Sequence, residues 1–435
     1  MNKLVEEENA IQGYYSQDGM KFDYRKLNEL ENSYGSSFYI VNVHKLRENY
    51  LKIKQAFKSR YDNFIIGYSY KTNYLPYLCK ELSRLGAYAE VVSRLEYDLA
   101  IKLGEDPKRI IFNGPLKSRE DIHLALKNES ILNVDSLYEV EMIKDYALKN
   151  QNSVVKIGLR VNFDLTENGE PILQDGYEIS RFGICIENGN LQSAIIELKK
   201  IANIKIIGLH GHFSTTKRSV ESYRIKTKKL CMIAKQSLAD SLEFIDIGGG
   251  IYGELPASFQ INAPTFDDYA EAVCEVMNRE FMDFERKPAL ILEPGVAMVA
   301  NAIIFIAKVI ETKSVADQSF ILVDGSVHNI KPTMHKNNLP MQIIRRNNDL
   351  KAKKMFNIVG YTCMEKDYLA HGINDALPNK GDYIIFENVG AYTIVFNPPF
   401  IKVRPPILAA ENNDIFVVRR KEEFKQFFNE ELYIF

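Results

Sequence analysis

The chain has 435 residues, more than the roughly 250 to 300 at which one hydrophobic core stops growing, so two domains are expected. Acidic residues number 57 against 55 basic ones with no long single-sign block, which argues against a nucleic-acid partner and for a small molecule. Five scattered cysteines without a CxxC pair, an N-terminus (MNKLVEEENAIQGYY) lacking the apolar core of a signal peptide, and no run of about 18 apolar residues predict a reduced, cytoplasmic protein away from membranes.

The first strand-like run is SSFYIVNV (36–43), followed by a helix-like stretch, HKLRENYLKIKQAFKS. Eight β-rich runs then alternate with longer amphipathic stretches: FIIGYSY (64–70), AYAEVV (87–92), IIFNG (110–114), ILNVD (131–135), VVKIGLRV (154–161), IKIIGLHGH (204–212), LEFIDIG (242–248) and ALILEPG (289–295). Such βα alternation predicts a closed, parallel (β/α)8 barrel of TIM type over residues 44–300. Ser93 with Glu96, Ser118 with Asp121 and Ser136 with Glu139 each set an acceptor three residues before an acid, the signature of a helix start. After residue 300 the helical intervals shrink, and AIIFIAKVIE, SFILVDGS, DYIIFENV and DIFVVRR cluster β-branched and aromatic residues. A second, mainly β domain is expected from 1–43 and 301–435, with SSFYIVNV joining it because the barrel has no place for a ninth strand.

Barrels of this kind carry chemistry at the C-terminal ends of their strands. Lys71 ends the first run, Arg160 and Asn162 the fifth, His210 and His212 the sixth, Gly248, Gly249 and Gly250 the seventh, and Glu293 the eighth. A lysine closing an apolar strand is a Schiff-base candidate or a side chain snorkelling to solvent. The glycine triplet after strand seven suits a phosphate bound by bare backbone N–H groups, or is a tight turn needing positive φ. Glu293 is placed to face a pyridine nitrogen, or to salt-bridge Arg160. The HGH pair admits a shared zinc, but few histidines accompany it, and a stacking or polar-network role is the stronger reading.

In order across residues 71 to 393, YSYKTN, GLHGHFS, DIGGGIYG, LEPG, YTCMEKD and GAYT resemble the motif series of the fold type III pyridoxal-phosphate decarboxylases, which include diaminopimelate and ornithine decarboxylases. The resemblance implies a two-domain barrel-plus-β architecture and pyridoxal phosphate held as an aldimine on Lys71. It implies that His212 stacks on the ring, that Glu293 contacts the ring nitrogen, and that Arg160 lies nearby. Gly249, Gly250, Thr215 and Tyr392 are implied at the phosphate, and Cys363, from a partner subunit in a homodimer, at the α-carbon. The implied reaction is decarboxylation of an amino acid. Cys363 alone would read as an inert thiol; Asp367 four residues later makes it part of a motif.

The pattern departs from the family at the positions that read the substrate. Val296 stands where Glu-Pro-Gly-Arg would supply an arginine, and Lys331 and His335, in DGSVHNIKPTMHK, replace an arginine and a tyrosine. Met364 follows the cysteine in place of an acid, with Glu365 one position later. Lys331, His335, Glu365 and Asp367 are therefore the candidate substrate residues, and a diamino or modified amino acid is the expected substrate. A racemase of the same fold type is the first alternative, opposed by Glu293 where racemases set an arginine. A catalytically inert homologue is the second, opposed by the retained Lys71, His212, Glu293, Cys363 and Tyr392.

Overall fold

A computed structural model describes residues 22–167, 169–334, 337–347 and 352–433, and the chain divides into two compact units. The first comprises Asn49–Glu254 and Asn262–Met298; the second takes the described residues of 1–48, 255–261 and 299–435. No helix among the described residues is long and apolar enough to cross a membrane.

In the first unit the eight β-rich runs form strands Phe64–Ser69, Tyr88–Val91, Ile110–Phe112, Ile131–Val134, Val155–Asn162, Ile204–His210, Phe244–Asp246 and Ala289–Leu292. Each pairs in parallel with the next, and Leu290–Leu292 of the eighth pairs with Phe64–Ile66 of the first, which closes the barrel. Strands covered on both faces read as continuous apolar runs, which is why these eight stand out in the sequence. Ile111, Ile207, Phe244, Ala289 and Ile291 pack together as an apolar cluster. The Phe244 ring explains two glycines within strands: a Cβ at Gly158 or Gly208 would lie 2.7 or 2.4 Å from it.

Two of the three expected helix starts carry their caps. Ser118 and Asp121 form a reciprocal capping box at 3.1 and 2.9 Å before helix Arg119–Lys127. Ser93 accepts the Glu96 N–H at 3.3 Å before helix Arg94–Lys102. Ser136 opens helix Leu137–Lys149 without a side-chain cap, its hydroxyl donating to Asp135 at 3.3 Å, and Glu139 pairs with the Lys117 ammonium at 2.9 Å, both side chains fully buried. Leaving either charge buried and alone would cost about 3–5 kcal/mol, more than a cap returns.

The second unit is a nine-stranded mixed sheet. Strand Ser37–Asn42, the run SSFYIVNV, lies inside it, antiparallel to Ile303–Val315 and parallel to Ile407–Glu411. Asp23 accepts the Lys26 N–H at 2.7 Å and starts helix Tyr24–Tyr34, whose Leu27 and Leu30 pack on Phe38, Ile40, Ile306, Tyr383, Ile385 and Leu408.

Candidate active site

Every barrel strand places a polar group at or just beyond its C-terminal end. In strand order these are Lys71, Glu90, Asn113, Asn133, Arg160, His210 with His212, Asp246 and Glu293. A cavity of about 530 Å³ opens among Lys71, Glu90, Asn113, Arg160, His212 and Glu293, within the size range of small-molecule sites.

Lys71 sits in the short turn Tyr70–Thr72 after strand one, and its Nζ lies 2.5 Å from the buried Glu90 carboxylate. The lysine therefore neither snorkels away nor faces desolvation alone. Glu90 also accepts from the Ser69 hydroxyl and, at 3.0 Å, from Asn113 Nδ2. That same amide nitrogen donates to Glu293 at 2.6 Å, while Asn113 Oδ1 accepts from Asn133 at 2.9 Å. One amide thus links the carboxylate beside the lysine to the carboxylate of strand eight, and Asn133 fixes which way it faces.

Glu293 has His210 Nε2 at 3.4 Å and Asp246 beside it. Burial works to raise Glu293, but His210, Lys71 and a hydrogen bond from Asp246 outweigh it and hold the carboxyl well below the usual range. Asp246 goes the other way, raised by burial and by the Glu293 charge. Burial and the Glu293 charge thus favour the protonated form of Asp246, while His210 and Lys71 favour the Glu293 carboxylate. His210, Asp246 and Glu293 offer donor atoms within 4.8 Å of one another, and Glu293 is also bonded to Asn113 at 2.6 Å. The two histidines of HGH do not face one ligand together, since His212 Nδ1 accepts the Gly249 N–H at 3.0 Å.

Burial, and then the Lys71 and Arg160 cations, push His212 well below its ordinary pKa. A neutral imidazole whose Nδ1 accepts carries its proton on Nε2. The glycine triplet makes this packing possible: a Cβ at Gly248 would sit 2.6 Å from His212 Cβ, and one at Gly249 2.2 Å from the Glu293 carbonyl oxygen. Gly248 and Gly250 also take positive φ, 66° and 92°, so the turn reading holds. Tyr223 donates to the Gly249 carbonyl at 2.7 Å and fixes the loop from below. Thr215 bridges to Leu173 in the segment after strand six. Arg160 pairs with Asp135 at 2.9 Å and covers the Phe182 ring, so the alternative of an Arg160–Glu293 salt bridge gives way to the Asn113 link.

The remaining candidates belong to the second unit. Cys363 is exposed, and Glu365 beside it is exposed as well. Asp367 is buried and holds their loop: it accepts from Val327 N at 2.7 Å, Thr362 N at 2.9 Å and the Thr362 hydroxyl at 2.6 Å. Both oxygens of Asp367, an expected substrate residue, are thus engaged within the protein, one by its own turn through Thr362 and the other by the Val327 N–H. Buried Lys331 donates to the Asn337 carbonyl at 3.3 Å, and burial lowers its pKa. Tyr392 adopts φ 55° and stacks on Phe396. His335 lies outside the described residues. Sequence reasoning missed Glu90, Asn113 and Asp246; the available signal was one polar residue near the end of each of AYAEVV, IIFNG and FIDIG.

A lysine amine beside a carboxylate, a neutral imidazole, an ionised carboxylate and a side-chain-free loop match the aldehyde, ring, ring nitrogen and phosphate of pyridoxal phosphate. Residues 43–300 match the family model described as pyridoxal-dependent decarboxylase, pyridoxal binding domain. The chain is similar to a diaminopimelate decarboxylase of Aquifex aeolicus, 27% identical over 97% of both chains. It is also similar to a probable chloroplastic diaminopimelate decarboxylase of Oryza sativa subsp. japonica, 29% identical over 90% of this chain and 78% of that one. Among solved structures, the diaminopimelate decarboxylase of Helicobacter pylori complexed with L-lysine superposes with a TM-score of 0.80 at 26% identity, covering 93% of this chain and 99% of that one. The Methanocaldococcus jannaschii enzyme shares the fold at a TM-score of 0.84 and 24% identity, covering 93% and 94%. The chain belongs to the pyridoxal-dependent decarboxylases, carboxy-lyases that use pyridoxal phosphate to remove CO₂ from amino acids.

Proposed function

We propose that the barrel mouth decarboxylates an α-amino acid at Lys71, and that the far end of this substrate is read differently from diaminopimelate. The observation that carries the reaction type is the Glu293 carboxylate lining the cavity, oriented by Asn113 at 2.6 Å. Bound pyridoxal phosphate supplies the electron sink that takes the pair left behind when the α-carboxyl departs as CO₂. Glu293 would keep the ring nitrogen protonated and so deepen that sink, whereas a racemase benefits from a shallower one. Lys71 Nζ would hold the cofactor aldehyde, with Glu90 as its proton partner at 2.5 Å. His212, neutral and pinned by Gly249, covers the ring without adding charge.

The reaction consumes one proton at the α-carbon for each CO₂ released. We assign its delivery to Cys363, because the barrel cavity among the described residues is lined by no thiol and Cys363 is exposed on a loop that Asp367 braces. Supply of that loop by a second copy makes a cytoplasmic homodimer the proposed working form. Val296, Lys331, His335 and Glu365 support a changed distal contact, since a planar, always-charged arginine is not replaced like for like by valine or lysine.

The test is CO₂ release from protein reconstituted with pyridoxal phosphate, over diamino and acidic amino acids in both enantiomers, in heavy water. The expected result is one CO₂ and one solvent deuteron at the α-carbon per turnover, with diaminopimelate slower than the best substrate. Deuterated amino acid without CO₂ would establish a racemase instead, and diaminopimelate as the best substrate would remove the claim of a changed distal contact.

A further inference from the structure

A cation beside a dianionic phosphate in the glycine cradle would strengthen its binding, and position 296 on the strand-eight side offers none, since Val296 opens the short helix Val296–Val299. The other cations near the triplet are already engaged. Arg160 is paired with Asp135 at 2.9 Å, and Lys226 donates to the Ile247 carbonyl at 2.6 Å, immediately before the triplet.

Arg218 differs from both. It immediately precedes the N-cap Ser219 of the 19-residue helix Val220–Leu238, and among the described residues no carboxylate pairs with it. Its guanidinium lies 5.0 Å over the ring of Tyr252, two residues beyond the triplet. The loop carrying Tyr252 presses on the strand-eight side: a Cβ at Gly253 would come within 2.8 Å of Ala297 Cα, next to Val296. The Arg218 backbone is fixed as well, at φ 46° with its carbonyl accepting from Tyr269 at 2.5 Å. Tyr223, on the first turn of the same helix, holds Gly249 at 2.7 Å, so one loop-and-helix start anchors the cradle and presents the cation.

We propose that Arg218 is the phosphate-binding cation of this chain, reaching the cofactor phosphate from the strand-six side where Val296 leaves the strand-eight side apolar. The inference rests on the pyridoxal-phosphate reading of the barrel mouth. A planar guanidinium offers two parallel N–H donors to phosphate oxygens, and stacking on Tyr252 orders it before the ligand arrives.

The experiment titrates cofactor-free protein with pyridoxal phosphate and with pyridoxal, which lacks the phosphate, following the absorbance of the bound aldehyde. Arg218→Ala is expected to weaken pyridoxal phosphate by about 10- to 100-fold, the scale of a lost hydrogen bond to a charged group, and to leave pyridoxal unchanged. Arg218→Lys recovers part of the loss, and Lys217→Ala, at the exposed neighbouring position, recapitulates none of it. Should Arg218→Ala fail to fold, Arg218→Lys and Arg218→Gln carry the same comparison. Equal loss for both ligands, no loss for either, or equal loss in Lys217→Ala overturns the assignment. Wild-type protein that takes up neither ligand overturns the cofactor reading itself.

Discussion

The two ends of the barrel strands are built from opposite chemistry. Toward the middle and base, Ile111, Ile207, Phe244, Ala289 and Ile291 pack as an apolar cluster with glycines cut to fit one phenylalanine. At the mouth the same strands carry a lysine, four acids or amides in one hydrogen-bonded chain, an arginine and two histidines. Burying such groups is unfavourable unless each is paired, and their mutual pairing is what makes the layer tolerable. The contrast teaches a division of labour: the lower layer holds the fold, and the upper layer is kept, against stability, for the reaction.

The comparison breaks most directly at its top. Lys71→Ala is expected to reduce CO₂ release below detection and to abolish the visible absorbance of bound cofactor. Glu293→Gln comes next, lowering kcat by about 100-fold or more, the scale of one lost electrostatic partner in an active site. Because the mutation also removes a buried charge, cofactor-free Glu293→Gln should be as stable as the parent in urea. A large loss of stability with little loss of kcat would reverse the division.

The lower layer should answer in the opposite sense. Ile291→Ala, at a fully buried position, is expected to destabilise by about 2–5 kcal/mol through lost burial and a residual cavity, with kcat unchanged well below the melting temperature. Lys117→Met sharpens the picture from a third side: it strands Glu139 without its cation and should cost about 3–5 kcal/mol without touching the cavity. Urea unfolding and kcat measured on the same preparations separate the two.

The smallest effect is in pH. His212 has a folded-state pKa held well below 6.5 by burial and the neighbouring cations. Its stabilising contribution is therefore complete above about pH 6.5 and is lost as the pH falls, because the unfolded chain takes up a proton that the folded one refuses. Asp246, raised by burial and Glu293, pulls the opposite way, so the difference between variants is the useful quantity. Between about pH 6.5 and 5.5 the cofactor-free His212→Gln protein should lose about 1.4 kcal/mol less than the parent at most. Identical pH dependence in the two would mean that His212 is not held neutral.

Much of this contrast was legible in the sequence, and for physical reasons. Parallel strands buried on both faces leave continuous apolar runs, so all eight announced themselves, and residues that interrupt such a run at its end, such as Lys71 and Glu293, stand out against it. The glycine triplet was legible because a bare backbone has few uses. What stayed hidden were relations between strands. Glu90 and Asn113 look ordinary in AYAEVV and IIFNG; pairing of the first two strands brings Glu90 to Lys71, and closure of the barrel brings Asn113 to both carboxylates. The buried partner of Glu139 was invisible for the same reason, since Lys117 lies 22 positions earlier. Asp367 looked like a ligand contact and instead accepts from Val327 and Thr362, which no local pattern could reveal.

The most direct test of the central claim is to load the protein with pyridoxal phosphate, reduce it with borohydride and map the modified residue by mass spectrometry. Reduction makes permanent the bond between the cofactor carbon and the nitrogen that holds it. A single cofactor adduct on Lys71 is the predicted result. An adduct on Lys226 or Lys331, or none on a protein that nonetheless releases CO₂ from an amino acid, would contradict the account.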